Sequence, residues 1–245
     1  DLGGFIRGGA SVLEAARRAL AWARGEEGHK GPAGEPLFHS AKDVRLGAPV
    51  LPSSKVICLG DVYESHLTVR GSELPDRFGL FYKMSQVVVG PEEWVVIPKH
   101  HTGPMVYGTE LTLVIGKEGR SIAESAVQDH IWGYTILNDI TLRDLHRQLG
   151  PTPKVFDTSA PVGPWIVPKD QVGDAANLGL LFRINGRQVQ DGTTSDMRFS
   201  LPYMVTEVSK WHTLRPGDII ATGDIGATEP VVTGDVMEAE VEGIG

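Results

Sequence analysis

Three short stretches carry residues whose types and spacing could do chemistry: VYGTELTLVIGK at 106–117, GYTILNDITLRD at 133–144 and DVYESH at 61–66. In the first, a carboxylate, Glu110, stands at the mouth of an unbroken apolar and β-branched run, Leu111 to Ile115, that stops at a Gly-Lys turn signal. Residues two apart on a strand point the same way, so Val106, Gly108, Glu110 and Thr112 share one face. An acid among such neighbours is costly to bury unless it is paired, hydrogen-bonded or bound to a cation. In the second stretch, Asp139 closes an apolar segment just before Arg143 and Asp144. Hard ions such as Mg²⁺ take one or two carboxylates together with water and substrate oxygens, so Glu110 and Asp139 could form such a site if the fold joins them. A salt bridge or a turn cap is the plainer role for either acid alone. His100 and His101, in IPKHHTGP, could add a nitrogen or could be loop histidines, and imidazole suits Zn²⁺ or Mn²⁺ better than Mg²⁺.

Those residues need elements to hold them. Ser11 to Arg24 sets Val12, Ala15, Ala16, Ala19, Leu20 and Ala23 on one face, an amphipathic helix with Ser11 as N-cap. Gly25 to Glu35, dense in glycine, proline and charge, reads as a linker. From Lys55 onward the signals are those of strands: VICLG, WVVIP, LTLVIG, WIVP, LGLLFRING, DIIATG and MEAEVEG, set apart by Gly, Pro and Asp. Helical breaks are expected at Ile122 to Asp129 and Tyr203 to Lys210. So few helices cannot cross over a parallel sheet, which points to an α+β, mostly β fold. The division expected is a helical element and linker over 1–43 and a catalytic body over 44–245.

Composition narrows the partners. The 245 residues carry a formal net charge of −8, which disfavours nucleic acid and anionic membranes, since both call for clustered Lys and Arg. Small molecules are the expected partners. The single cysteine, Cys58, lies in an apolar run, so it cannot form an intrachain disulfide and reads as a buried hydrophobe in a reducing, cytoplasmic protein. No apolar run approaches the roughly 18 residues of a membrane span.

The order of these segments resembles the fumarylacetoacetate hydrolase family. The resemblance runs from about Val44 to the end, through DVRLGAPVLPSSKVICLG, DVYESH, TELTLVIGK, GYTILNDITLRD, KVFDTSAPVGPWIV, INGRQVQDGTTSDM, TLRPGDIIATG and VEGIG. It implies a mixed β-roll, a homodimer, and Mg²⁺ or Mn²⁺ holding a 2-oxo or 2-hydroxydienoic carboxylate in aromatic catabolism. By the same resemblance, Glu110 matches the second acid of a Glu-x-Glu pair and Asp139 the third ligand, while Gly108 stands where the first Glu belongs. His66 matches a histidine that activates water with a Glu three residues later, but here that position is Val69. Lys154 matches an active-site lysine, and Tyr63, Arg143, Gln190, Thr194 and Thr222 match residues on the substrate side. Two further departures are Asp61 and Asp224, the latter an acid where a substrate carboxylate is expected to bind. The resemblance implies a metal-dependent hydrolase, isomerase or decarboxylase. The missing acids leave open a metal-poor partner subunit on the same fold, or a metal-independent tautomerase.

Overall fold

The computed structural model describes residues 2–24, 30–31, 33–70, 74–145 and 149–245. Two helices open the chain, α1 (Leu2–Arg7) and α2 (Gly9–Arg24). The body is built from β1 (Val56–Gly60), β2 (Gly79–Lys83), β3 (Val88–Val89), β4 (Met105–Val106), β5 (Thr109–Ile115) and β6 (Ile131–Asn138). It continues with β7 (Thr141–Leu142), β8 (Ala160–Pro168), β9 (Gly179–Ile184), β10 (Arg187–Thr193), β11 (Ile219–Ala221) and β12 (Met237–Val241). Short helices interrupt it: α3 (Glu64–Arg70), α4 (Val127–His130) and α5 (Leu201–Trp211).

Seven strands form one curled mixed sheet in the order β2-β1-β11-β5-β6-β8-β3; β10-β9-β12 form a second sheet, and β4-β7 a two-stranded ribbon. The β1–β11 and β3–β8 pairs are parallel and the remaining pairs of the large sheet are antiparallel. This is the mostly β, mixed roll expected from the sequence. All seven residues of β5 are buried, because both of its faces are covered. Leu111, Leu113 and Ile115 pack with Leu180 of β9, Val241 of β12 and Met204, Val205 and Val208 of α5. On the other face, Val114 packs with Leu137, Val162, Ile219 and Ile6 of α1.

Three expectations need correction. WVVIP is a loop rather than a strand: Trp94 is 82% exposed, and the Val96 amide donates to the Thr158 hydroxyl at 2.7 Å instead of joining a ladder. Ser11 lies inside α2 and not at its cap, its hydroxyl donating back to the Gly8 carbonyl at 3.0 Å. The apolar face of α2 buries none of its residues. Of the expected linker, residues 25–29 and 32 lie outside the described residues.

The second sheet is joined to the ribbon region by aromatic packing. Phe182 of β9, fully buried, stacks on Tyr107 with ring centroids 3.8 Å apart and planes 7° from parallel. Deleting such a ring removes its transfer energy and leaves a cavity. Phe182→Ala is expected to cost about 3–5 kcal/mol in urea unfolding; a loss below about 1 kcal/mol would contradict this packing.

Candidate active site

Glu110 and Asp139 meet because β5 and β6 run antiparallel. Glu110 pairs with Leu137 and Thr109 with Asn138, and the ladder continues one step to a hydrogen bond from the Asp139 amide to the Gly108 carbonyl, 3.0 Å. The mouth of β5 thus lies beside the end of β6. Both carboxylates are buried, each in a different electrostatic state.

Asp139 is held by two ammonium groups. Lys83, at the end of β2, places Nζ 2.9 Å from Asp139 Oδ1. Lys154, on the turn before β8, bonds Asp139 Oδ2 and also donates to the Thr141 hydroxyl at 2.9 Å. Burial alone would raise the Asp139 pKa, but Lys154 and then Lys83 outweigh it and hold the group below the ordinary aspartate value. For Lys154, burial works downward and the Asp139 charge more than offsets it, so the ammonium is held above the ordinary lysine value. Glu110 is the opposite case. Burial, then the charges of Asp139 and Asp224, push its pKa well up, although the Gly223 amide donates to Oε2 at 2.8 Å. Gly223 can aim that N–H because it sits at φ +81°, a conformation that favours glycine.

The Lys154 side chain is 20% exposed and that of Asp139 is 3%, so part of the lysine reaches the surface while its ammonium stays on the acid and on Thr141. His66, on α3, lies with Nδ1 3.2 Å from Asp224 Oδ1, and these side chains are 17% and 11% exposed. Tyr63, at the start of the same segment, buries its phenol beside Thr222 within the fields of Glu110 and Asp224. Burial first, then those two acids, raises its pKa well above the ordinary tyrosine value.

Other matched residues serve the framework. The Thr222 hydroxyl donates to the Leu111 carbonyl at 2.9 Å, so it is committed to the sheet and not free to donate to a substrate carboxylate. Thr194 caps the 178 turn, accepting from the Leu178 amide at 2.8 Å and donating to the Ala175 carbonyl at 3.0 Å. Gln190 donates to the Gly226 carbonyl at 2.8 Å and so braces the loop that carries Asp224. Arg143 follows β7, and among the described residues its guanidinium meets no acid. His101 lies 3.7 Å from Asp144 Oδ1, in a cluster apart from Glu110. Cys58 is buried, and burial followed by Glu110 raises its thiol pKa, so it is no nucleophile. An open groove of about 950 Å³ lies elsewhere, lined by Trp94, Val96, Val232 and Val236, and includes none of the charged cluster.

Sequence reasoning missed Lys83. As the last residue of FYK it reads as a solvated strand end, yet it donates to the carbonyls of Ile140 at 3.3 Å and Ser159 at 3.0 Å, and to that of Lys154. A divalent ion suits this donor set. Glu110 and Asp139 offer hard carboxylate oxygens, Asp139 Oδ1 is ion-paired with Lys83 at 2.9 Å but outside hydrogen-bond geometry, and two carboxylates with water and substrate oxygens make a complete Mg²⁺ shell. Among the described residues no three His, Cys, Asp or Glu side chains converge on one point, so the protein supplies no closed cage.

Removing one partner of a buried ion pair leaves a charge without compensation. Lys83→Met is expected to lose about 3–5 kcal/mol in denaturant unfolding, whereas an effect under about 1 kcal/mol would show that Lys83 does not hold Asp139. The sign of the pH dependence follows from the shifts. Asp139, lowered, contributes stability above its ordinary 3.8 that is lost as pH falls through its folded value; Lys154, raised, contributes stability below its ordinary 10.5 that is lost as pH rises through its folded value. In a Glu110→Gln background, which removes the other shifted carboxylate that senses Lys154, the stability difference made by Lys154→Met is therefore expected to be flat from about pH 5 to about pH 9; a steep slope inside that window would contradict the pairing.

Comparison with known proteins identifies the family of the chain. The family model for the C-terminal part of fumarylacetoacetate (FAA) hydrolase matches residues 55–245. The chain is 36% identical to the oxaloacetate tautomerase YisK of Bacillus subtilis, over 98% of this chain and 82% of that protein. It is 33% identical to the mitochondrial oxaloacetate tautomerase FAHD2A of Homo sapiens, over 98% of this chain and 76% of that one. Among solved structures, maleylpyruvate hydrolase from Sphingobium sp. SYK-6, in complex with manganese(II) and pyruvate, superposes with a TM-score of 0.79 at 31% identity, covering 100% of this chain and 82% of that one. With the strand order, the Glu110–Asp139 juxtaposition and the lysine pair in place, the chain belongs to the fumarylacetoacetate hydrolase family.

Proposed function

We propose that the protein is an enzyme that moves a proton on the carbon beside the carbonyl of a small 2-oxo carboxylate, as a keto–enol tautomerase or isomerase assisted by Mg²⁺ or Mn²⁺. The observation that carries this reading is the buried charge cluster. Three acids that sense one another, Glu110, Asp139 and Asp224, stand with two ammonium groups, Lys83 and Lys154. Burying that many charges destabilises a fold unless they do something, and perturbed groups of this kind concentrate where catalysis occurs. The same cost argues against a purely structural partner subunit. The name of the tautomerase relatives, which match nearly the whole chain, supports oxaloacetate or a similar dicarboxylate as substrate.

When bound by Glu110 and Asp139, a divalent ion would supply Lewis-acid polarisation of the 2-oxo carboxylate. The chain's own groups do the rest. Lys154, kept protonated by Asp139 and only partly exposed, places a positive charge for the oxygen that becomes negative as the proton leaves carbon. Lys83 is wholly buried, so it holds Asp139 and does not reach a ligand. His66 keeps one ring nitrogen against Asp224, which leaves Nε2 to take and return the proton. The Gly223 amide orients Glu110 from the end of β11.

Proton exchange at the carbon beside the carbonyl reads this chemistry without assuming the final product. In D₂O with millimolar Mg²⁺ or Mn²⁺, the protein is expected to catalyse deuterium incorporation into oxaloacetate and to speed its enol–keto conversion. Lys154→Met is expected to lower kcat by about 100-fold or more with a smaller effect on KM, and chelation of the ion to suppress the rate. No exchange above background with oxaloacetate, acylpyruvates or hydroxydienedioates would overturn the proposal.

A further inference from the structure

We infer that Asp224 is the positioning carboxylate of His66, and that residue 108 is glycine because Asp224 occupies the space a side chain there would need. The inference deepens the proposed function and rests on it only for its effect on rate.

A histidine that moves protons needs its other ring nitrogen fixed, most often by a carboxylate. On a helix the residue three positions on is a neighbour, yet three positions after His66 stands Val69, which accepts no hydrogen bond. The acid comes instead from the loop after β11. Asp224 Oδ1 lies 3.2 Å from His66 Nδ1, and the same oxygen accepts from the Gly226 amide at 2.6 Å. Gly226 is held in turn by Gln190 of β10, whose Nε2 donates to its carbonyl at 2.8 Å. Asp224 is thus fixed by its own loop and by a strand of the second sheet. A carboxylate accepts only, so Nδ1 carries the hydrogen and Nε2 is left as the base.

The rest of the Asp224 side chain lies over Gly108. A Cβ built on Gly108 would stand 2.7 Å from Asp224 Cγ and Oδ2 and 2.8 Å from its Cβ, closer than real Cβ atoms come. Any side chain at 108 must displace Asp224. The absence of an acid at 108 and the presence of one at 224 are therefore one arrangement: a carboxylate enters the site from the loop side, where it also reaches His66. The buried phenol of Tyr63, without a hydrogen-bonding partner in good geometry, lies in the field of that same carboxylate.

The test uses ring-nitrogen NMR of ¹⁵N-histidine-labelled protein at fixed pH, with His66 assigned by His66→Gln. In the wild type, His66 is expected to show a protonated Nδ1 and an unprotonated Nε2. Asp224→Ala is expected to abolish that tautomer preference and to lower kcat for exchange by roughly 100-fold with little change in KM. Gly108→Ala is expected to reproduce the His66 signature of Asp224→Ala by pushing Asp224 aside. Asp224→Glu, which keeps a carboxylate on the loop, is expected to keep the tautomer and part of the rate. A wild-type His66 protonated on Nε2, or ring signals unchanged in Asp224→Ala, would overturn the inference even if Asp224→Ala proved poorly folded in other assays. Wild-type signals in Gly108→Ala would overturn its steric half. If no substrate turns over, the NMR result still decides the role of Asp224, so the two failures remain separate.

Discussion

The site depends on one interaction, the buried carboxylate of Asp139 gripped by two ammonium groups. Lys83 is fully buried and Asp139 nearly so, which puts the pair in surroundings where an uncompensated charge is very costly. Several segments must therefore be in register at once. β2 has to deliver Lys83, the end of β6 has to deliver Asp139, and the turn at Thr152–Lys154 has to deliver Lys154 and turn its carbonyl back onto Lys83. The same constraint keeps Lys154 charged, so the bond that organises the fold also prepares the cation that the proposed chemistry uses.

Around this pair the acids are graded. Asp139 is fully compensated, Glu110 is restrained by a single backbone amide and pushed up by its surroundings, and Asp224 shares its charge with His66 and a loop amide. A site with an acid at Glu110 whose charged form lacks a counter-ion, and positive charge at Lys154, is suited to a cation and an anionic substrate together, which a metal-chelated 2-oxo carboxylate would supply. The groove near Trp94, more open and more apolar, has none of these groups.

Much of this could be read from the chain before any coordinates. β5 declared itself by an unbroken β-branched run, and Glu110 stood out because an acid at such a position is costly. The strands VICLG, LGLLFRING and MEAEVEG also formed where punctuation bounded them. What could not be read were the partnerships made across the fold. Nothing in the sequence singled out Lys83 because its acid lies 56 positions away, and Asp224 looked like a substrate-repelling departure because His66 is 158 positions away. Gly108 looked like a vacancy for the same reason: a strand pattern tells which face a residue is on, but not what stands above it. WVVIP misled in the opposite direction, its β-branched residues having the right propensity but no neighbouring strand to pair with.

The central claim is that Glu110 and Asp139 form a cation and substrate site beside the Lys154 ammonium. Anomalous diffraction from crystals grown with Mn²⁺ and oxalate, a flat dianion resembling the enolate of a 2-oxo carboxylate, tests it most directly. The account predicts one strong manganese peak bonded to both carboxylates, with oxalate chelating the ion and an oxygen of it against Lys154 Nζ. Manganese bound only elsewhere, or oxalate bound away from Lys154, would contradict it.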